Sequence, residues 1–354
     1  MNVIDALLAG DRRALARTIS QVEDGGPLAY SMLAALYPHT GRAQVIGITG
    51  APGTGKSTLV NALAKTYRGK RRTVGIIAVD PTSPFSGGAL LGDRVRMRDL
   101  AGDSGIFIRS MATRGSLGGL GRATADVISV LDAAGFDRIL VETVGVGQAE
   151  VDIAGAAHTT VVVEAPGLGD EVQAIKAGVL EIADLFAVNK ADREGADHTV
   201  MALQMMQGLA PTRAGHHAAE RSAAHHAEAG AQADGSWLPP ITKTVAVRCE
   251  GVTALCDWIE RHAVYLAETG QRERRDISHA MNMLSHILSD ELMAALLARL
   301  PAGHLSEVAA AVARRAVDPY SAAQQILAAF LDRSPASERS DSSQAFDSTT
   351  IFQR

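Results

Sequence analysis

Eight consecutive residues restrict this chain more than any other stretch. They are Gly50-Ala51-Pro52-Gly53-Thr54-Gly55-Lys56-Ser57, set between the apolar run 45–49 (VIGIT) and a helical pattern that begins at Thr58. Glycines let a loop curl so that successive backbone N–H groups point at an anion, and the helix N-terminus behind it adds positive partial charge. The GxxxxGK[ST] spacing in a strand–loop–helix context is that of a phosphate-binding loop. Gly53, Thr54, Gly55, Lys56, Ser57 and Thr58 are therefore the expected phosphate contacts. Lys56 would place its ammonium between the β- and γ-phosphates of a nucleotide, and the Ser57 hydroxyl is a hard oxygen ligand suited to Mg2+.

The rest of the chain supplies the fold such a loop needs. Nearly continuous Val/Ile runs recur at 73–80, 105–110, 138–143, 159–165 and 185–189, with a further one at 244–247 (TVAV). Continuous rather than alternating apolar runs fit strands buried on both faces of a parallel sheet. Helical stretches between them predict an α/β architecture, a doubly wound, mostly parallel sheet. Residues 1–42 predict a helical extension that breaks at Gly25-Gly26-Pro27 and ends at Pro38, and 43–268 the nucleotide domain. Residues 269–333 predict a helical arm, and 334–354, rich in Ser and Asp, a disordered tail.

A second loop names the base. Asn189-Lys190-Ala191-Asp192 follows the run 185–189, at the strand end where α/β ligand sites lie. In an NKxD arrangement the Asp192 carboxylate accepts from guanine N1–H and the exocyclic amine. Adenine lacks that donor pair and would leave the carboxylate unsatisfied. GTP and GDP with Mg2+ are thus the expected ligands, and GTP hydrolysis the expected reaction. Val245, Ala246 and Val247 are the candidate loop whose backbone N–H binds the guanine oxygen.

Switch elements follow the same logic. Glu142-Thr143-Val144-Gly145 occupies the place of a DxxG motif, with Glu142 directed at Mg2+ and the Gly145 N–H at the γ-phosphate. Ras-like proteins place a water-orienting Gln after that glycine. Here Val146 follows, which predicts slow intrinsic hydrolysis; Gln148 is either a substitute or an ordinary loop residue. Asp80 closes the run 73–80 as a magnesium-side carboxylate, and the Gly-rich stretch after it, with Arg94 and Arg96, suits a switch.

Composition sets outer limits. A net charge of −5 argues against a nucleic-acid or membrane-surface role, and no stretch approaches the length of a membrane span. Two cysteines, Cys249 and Cys256, are too few for a disulfide framework, and the cytoplasm is the expected compartment.

The strings GITGAPGTGKSTL, AVDPTSPFSGGALLGDRVRM, IRSMATRGSLGGL, ILVETVGVGQAE and APGLGDEVQAIKAGVLEIADLFAVNKADREGAD together resemble the MeaB/ArgK family of P-loop GTPases. The resemblance spans residue 1 to about 330 and implies more than the residues do alone. It implies a G-protein chaperone that gates cofactor loading and protection of an adenosylcobalamin-dependent acyl-CoA mutase, and a homodimer joined through the helical arm. It assigns magnesium and switch roles to Ser57, Asp80, Asp93 and Glu142, with catalysis by Lys56, Asp93, Glu142 and Gly145. It places a third switch at about 167–176, including Asp170, Gln173 and Lys176. An older reading attached to the family is a kinase of an amino-acid transport binding protein; a metal-insertion GTPase is a further alternative. The chain departs from the family pattern at His158, at Val245 and Val247, and in the insertion 211–236. That insertion carries His216-His217 and His225-His226, and is either a variable surface loop or a metal-binding segment.

Overall fold

A computed structural model of the chain describes residues 2–81, 98–100, 102–113, 119–143, 155–167, 181–209, 230–231 and 235–332. Asp93, Arg94, Arg96, Gly145, Val146, Gln148, Asp170, Gln173, Lys176, the four insertion histidines and the tail lie outside them.

Seven strands make one sheet: β1 Gln44–Thr49, β2 Val74–Pro81, β3 Ile106–Thr113, β4 Arg138–Thr143, β5 Thr159–Glu164, β6 Leu185–Asn189 and β7 Ile241–Thr244. Their order is β3-β2-β4-β1-β5-β6-β7, and every pairing is parallel. The central position of β1 explains its unbroken burial, with helices on both faces. Alternate residues feed two cores. Ile46, Ile48, Leu140 and Val161 pack under α4 (Lys56–Gly69) and α7 (Val252–Glu268). Val45, Ile77, Ile139 and Val141 pack under α2 (Arg12–Asp24) and α5 (Gly119–Ala133). The helix α6 (Ala196–Leu209) covers a third cluster around Phe186 and Leu203.

The N-terminal extension is helical, as its apolar spacing predicts: α1 Val3–Leu8, α2, and α3 Pro27–Leu36. Asp11 caps α2 by accepting the Arg13 and Ala14 N–H groups at 2.7 and 3.1 Å. Leu15, Ile19 and Val22 of α2 are buried. A break at Gly10, at φ 89°, joins the expected one at Gly25 and Gly26. Asp132, near the end of α5, accepts the Gly41, Arg42 and Ala43 N–H groups at 2.6, 3.1 and 2.9 Å, fixing the entry to β1.

One strand departs from expectation. The run 244–247 is not a strand: β7 ends at Thr244, and Ala246–Arg248 forms a single 3-10 turn. The Val-rich pattern misleads because those residues turn toward the loop of the base site, while the less apolar Ile241–Thr244 pairs with β6.

The chain divides into two units, residues 1–283 and 284–354. In the first, the N-terminal edge of the sheet carries a polar clamp. Asp184 accepts the Thr160 N–H at 2.8 Å and pairs with the Arg275 guanidinium through two bonds of 2.9 and 2.7 Å. Arg275 also donates to the His158 carbonyl at 2.6 Å, and the Trp237 indole N–H to the Asp184 carbonyl at 2.8 Å. His262, fully buried, lies 2.9 Å from the Thr159 hydroxyl and 3.4 Å from Asp184. His158, where the family resemblance implies an acidic residue, accepts the Val45 N–H at Nδ1 (2.9 Å) and faces Asp276 with Nε2 (3.2 Å). With Nδ1 accepting, the neutral ring carries its proton on Nε2. The group His158, Asp276 and His279 therefore has metal-like spacing but a tautomer that donates to Asp276 instead.

The second unit contains the C-terminal part of α8 (Gln271–Arg299), α9 (His304–Ala313) and α10 (Pro319–Asp332). Asp318 caps α10 by accepting the Tyr320 and Ser321 N–H groups, each at 3.0 Å, and the Arg299 guanidinium lies 5.0 Å from the Phe330 ring centroid. Leu284, Leu288 and Leu292, four residues apart on α8, are exposed.

Burial depresses the basicity of the clamp histidines: His262 and His279 are pushed down to about 4, and His158 below its ordinary 6.5. These rings are neutral in the fold and take up protons more readily once unfolded. Stability is therefore fully present above about pH 6.5 and is lost as pH falls toward 4. The melting temperature is expected to drop between pH 7 and pH 5, and to drop less in His262→Gln; an equal slope in that variant would remove His262 as a cause.

Candidate functional site

At the C-terminal edge of the sheet, β1 runs into the loop 50–55 and then α4. The loop's path depends on glycine at two close approaches. Gly50 has φ 136°, and a Cβ there would meet the Val163 carbonyl oxygen at 2.1 Å. Gly55 has φ 92°, and a Cβ would meet Asn189 Nδ2 at 2.5 Å. No side chain fits either position without moving backbone or the Asn189 amide. The buried Lys56 ammonium folds back over its own loop, donating to the Gly50 and Ala51 carbonyls at 2.7 and 2.9 Å. The Thr54 hydroxyl donates to the Ala51 carbonyl at 3.0 Å.

Ser57 and Glu142, expected on the magnesium side, meet: the Ser57 hydroxyl donates to Glu142 Oε1 at 2.6 Å, and both residues are buried. A hydroxyl and a carboxylate converging beside a phosphate loop form the hard oxygen set that Mg2+ prefers, so the donors present fit that ion. Asp80 is the penultimate residue of β2, in register with Ala112 of β3, at the same edge of the sheet. Further along the Ser57 face of α4, Asn61 donates to Asp99 at 2.8 Å and Lys65 pairs with the same carboxylate. Those two partners hold Asp99 below the usual carboxylate range.

The base-side loop is tied to the phosphate loop by the side chains of Asn189 and Lys190. Asn189 Nδ2 donates to the Thr54 carbonyl at 2.8 Å. Its Oδ1 accepts the Ala246 N–H at 3.1 Å and the Thr244 hydroxyl at 3.3 Å. Lys190, held at φ 56°, donates to the Gly53 carbonyl at 2.6 Å, and the Ala191 N–H donates to the Thr244 carbonyl at 3.1 Å. Three residues of the sequence motif thus clamp two loops from β1 and β7.

Asp192 stands at the rim, 3.5 Å from Arg248, which also pairs with Glu250 at 2.8 Å. No motif marks Arg248; only its position in the base loop would have drawn attention to it. Among the three candidate backbone donors, the Val245 N–H goes to the Glu250 carbonyl at 3.0 Å and the Ala246 N–H to Asn189. The Val247 side chain points to solvent. Cys249 is exposed with a left-handed backbone, whereas Cys256 is buried and its thiol is pushed up to about 12 by desolvation.

The sequence matches the model of a family described as methylmalonyl-CoA mutase-associated GTPase MeaB over residues 15–300. A protein of Pyrococcus abyssi named as a GTPase is 46% identical over 325 residues, 92% of this chain and 95% of that protein. A Caenorhabditis briggsae protein named methylmalonic aciduria type A homolog, mitochondrial, is 31% identical over 81% of this chain and 69% of its own length. Among solved structures, an LAO/AO transport system kinase superposes with a TM-score of 0.66 at 24% identity, covering 93% of this chain and 96% of that one, which establishes the shared fold. With its phosphate loop and NKxD loop joined at one edge of a parallel sheet, this chain belongs to the MeaB family and is a GTPase.

Proposed function

We propose that this GTPase is the G-protein chaperone of an adenosylcobalamin-dependent acyl-CoA mutase, gating the loading and protection of its cofactor. The family's association with methylmalonyl-CoA mutase carries the reading. The relative in Caenorhabditis briggsae, named for methylmalonic aciduria, supports it.

In this reading Lys56 leaves the Gly50 and Ala51 carbonyls for the β- and γ-phosphates, an exchange of neutral acceptors for charged ones. Ser57 and Glu142, with Asp80, would hold Mg2+, which when bound offsets phosphate charge. The family resemblance adds Asp93 to the magnesium and switch residues, and the motif 142–145 directs the Gly145 N–H at the γ-phosphate. Gly53, Thr54, Gly55 and Thr58 line the phosphates. Asn189 and Lys190 hold the loops in place, and Asp192 reads the guanine edge. Its exchange of the exposed Arg248 for two guanine donors costs little, since a solvent-exposed ion pair is screened by water. With Val245 and Ala246 N–H groups engaged inside the protein, Val247 is the remaining backbone donor of that trio for the guanine oxygen. Val146 in the water-orienting position argues for slow turnover alone and acceleration by the mutase.

The arm 269–333 is proposed to join two copies. Leu284, Leu288 and Leu292 form an exposed apolar row at helical spacing, the pattern a partner helix covers. No described helix is long and apolar enough to cross a membrane.

Adding the adenosylcobalamin-dependent mutase is expected to raise GTP turnover severalfold, and Lys56→Ala to abolish the stimulated rate. Unchanged turnover with every such mutase would sink the chaperone reading while leaving the GTPase intact. Asp192→Asn is expected to weaken GTP by about 10–100-fold and to improve xanthosine triphosphate, whose base edge pairs with an amide; an unaltered preference would refute the guanine assignment. Leu288→Asp is expected to convert a dimer to a monomer in sedimentation with its melting temperature little changed; a wild-type mass would refute the arm as the interface.

A further inference from the structure

β1 and β4 carry the phosphate loop and Glu142 side by side. Their backbone pairing extends to the Ile48–Glu142 register pair. One residue later the strands part, β1 into the phosphate loop and β4 into the segment after Thr143. At that point Thr143 Oγ1 donates to Thr49 Oγ1 at 3.0 Å, and neither residue has any exposed surface.

Strand alternation sets the two threonines on the face opposite Ile48 and Glu142. Thr49 shares its face with Val45, and Thr143 shares its face with Ile139 and Val141, all members of the core under α2 and α5. Two valines would fill this place without burying a hydroxyl, and a buried hydroxyl is costly unless bonded. The bond between them has a direction and a length that a Val–Val contact lacks. It extends the connection between β1 and β4 by one residue beyond their ladder, immediately behind the Ser57–Glu142 contact of 2.6 Å.

We infer that the Thr49–Thr143 hydroxyl pair is a clip that sets the spacing of Ser57 and Glu142, which makes both threonines positioning residues for the magnesium–phosphate site. The inference rests on the reading of Ser57 and Glu142 as the magnesium side. Mg2+ demands near-ideal octahedral geometry, so a shift of Glu142 by tenths of an ångström registers in its binding. Nucleotide contacts are made by the loop backbone and Lys56, and neither threonine hydroxyl is among them.

The test is the release of a fluorescent GDP analogue from the full chain as a function of magnesium concentration, with EDTA as the metal-free reference. Thr143→Val is expected to raise the magnesium concentration for half-maximal slowing by about twofold to tenfold, the worth of one hydrogen bond. Its GDP affinity in EDTA should match wild type. Thr143→Ser should restore the wild-type curve, Thr49→Val should reproduce Thr143→Val, and the double variant should be no worse than either single one. If Thr143→Val does not fold, Thr143→Ala against Thr143→Ser makes the same comparison. A wild-type magnesium curve in Thr143→Val, or an equal loss of GDP affinity in EDTA, would overturn the clip. A wild-type protein whose GDP release ignores magnesium would instead overturn the assignment of Ser57 and Glu142 on which the clip rests.

Discussion

The Asn189 carboxamide is the joint on which the nucleotide edge depends. A phosphate loop and a base loop arise from strands at different places in the sheet, β1 at its centre and β7 at its edge. Nothing in sheet hydrogen bonding fixes one loop against the other. Asn189 does so by using both ends of its amide, donating to the Thr54 carbonyl and accepting from Ala246 and Thr244. An aspartate could accept but not donate, and a leucine could do neither, so the residue type follows from the geometry. Gly55 belongs to the same constraint, because a Cβ there would sit on the Asn189 amide.

The opposite edge of the sheet is organised by charge. Asp184 gathers a backbone N–H from β5 and the Arg275 guanidinium of α8. Removing one partner of such a group leaves a buried charge uncompensated, which costs far more than the pair gains. The two edges divide the labour. The C-terminal edge presents donors and acceptors for ligand, while at the N-terminal edge Asp184 and His158 find their partners within the protein. His158 illustrates the difference: it stands where the family resemblance implies an acidic residue, and its hydrogen bonds give it a fixed structural task.

Much of this was legible beforehand, for identifiable reasons. The loop 50–57 and the motif 189–192 are local, so spacing alone reveals them. Buried parallel strands read as continuous apolar runs, which located six strands by their sequence. The seventh was displaced because TVAV looks more strand-like than ITKT, while the edge strand β7 is fixed by pairing with β6 rather than by its own propensity. Contacts between distant segments left no local trace. The Asn61–Asp99 bond, the Arg248–Asp192 pair and the Thr49–Thr143 bridge join residues 38, 56 and 94 positions apart. Their residue types are common everywhere, and only the fold brings them together.

The clamp has an optical consequence. The chain contains two tryptophans, and both belong to it: Trp237 donates to the Asp184 carbonyl and meets Trp258 edge-on at 6.4 Å, with the His262 ring at 4.7 Å. Asp184 precedes β6, and the base motif follows it, so about five residues, or roughly 16 Å of strand, separate this cluster from the guanine loop. Intrinsic emission therefore observes the Asp184 clamp, a strand's length from the guanine loop. The two tryptophans are a built-in reporter of the Asp184 clamp, and events at the phosphate loop become visible in that channel only to the extent that they travel the length of the sheet.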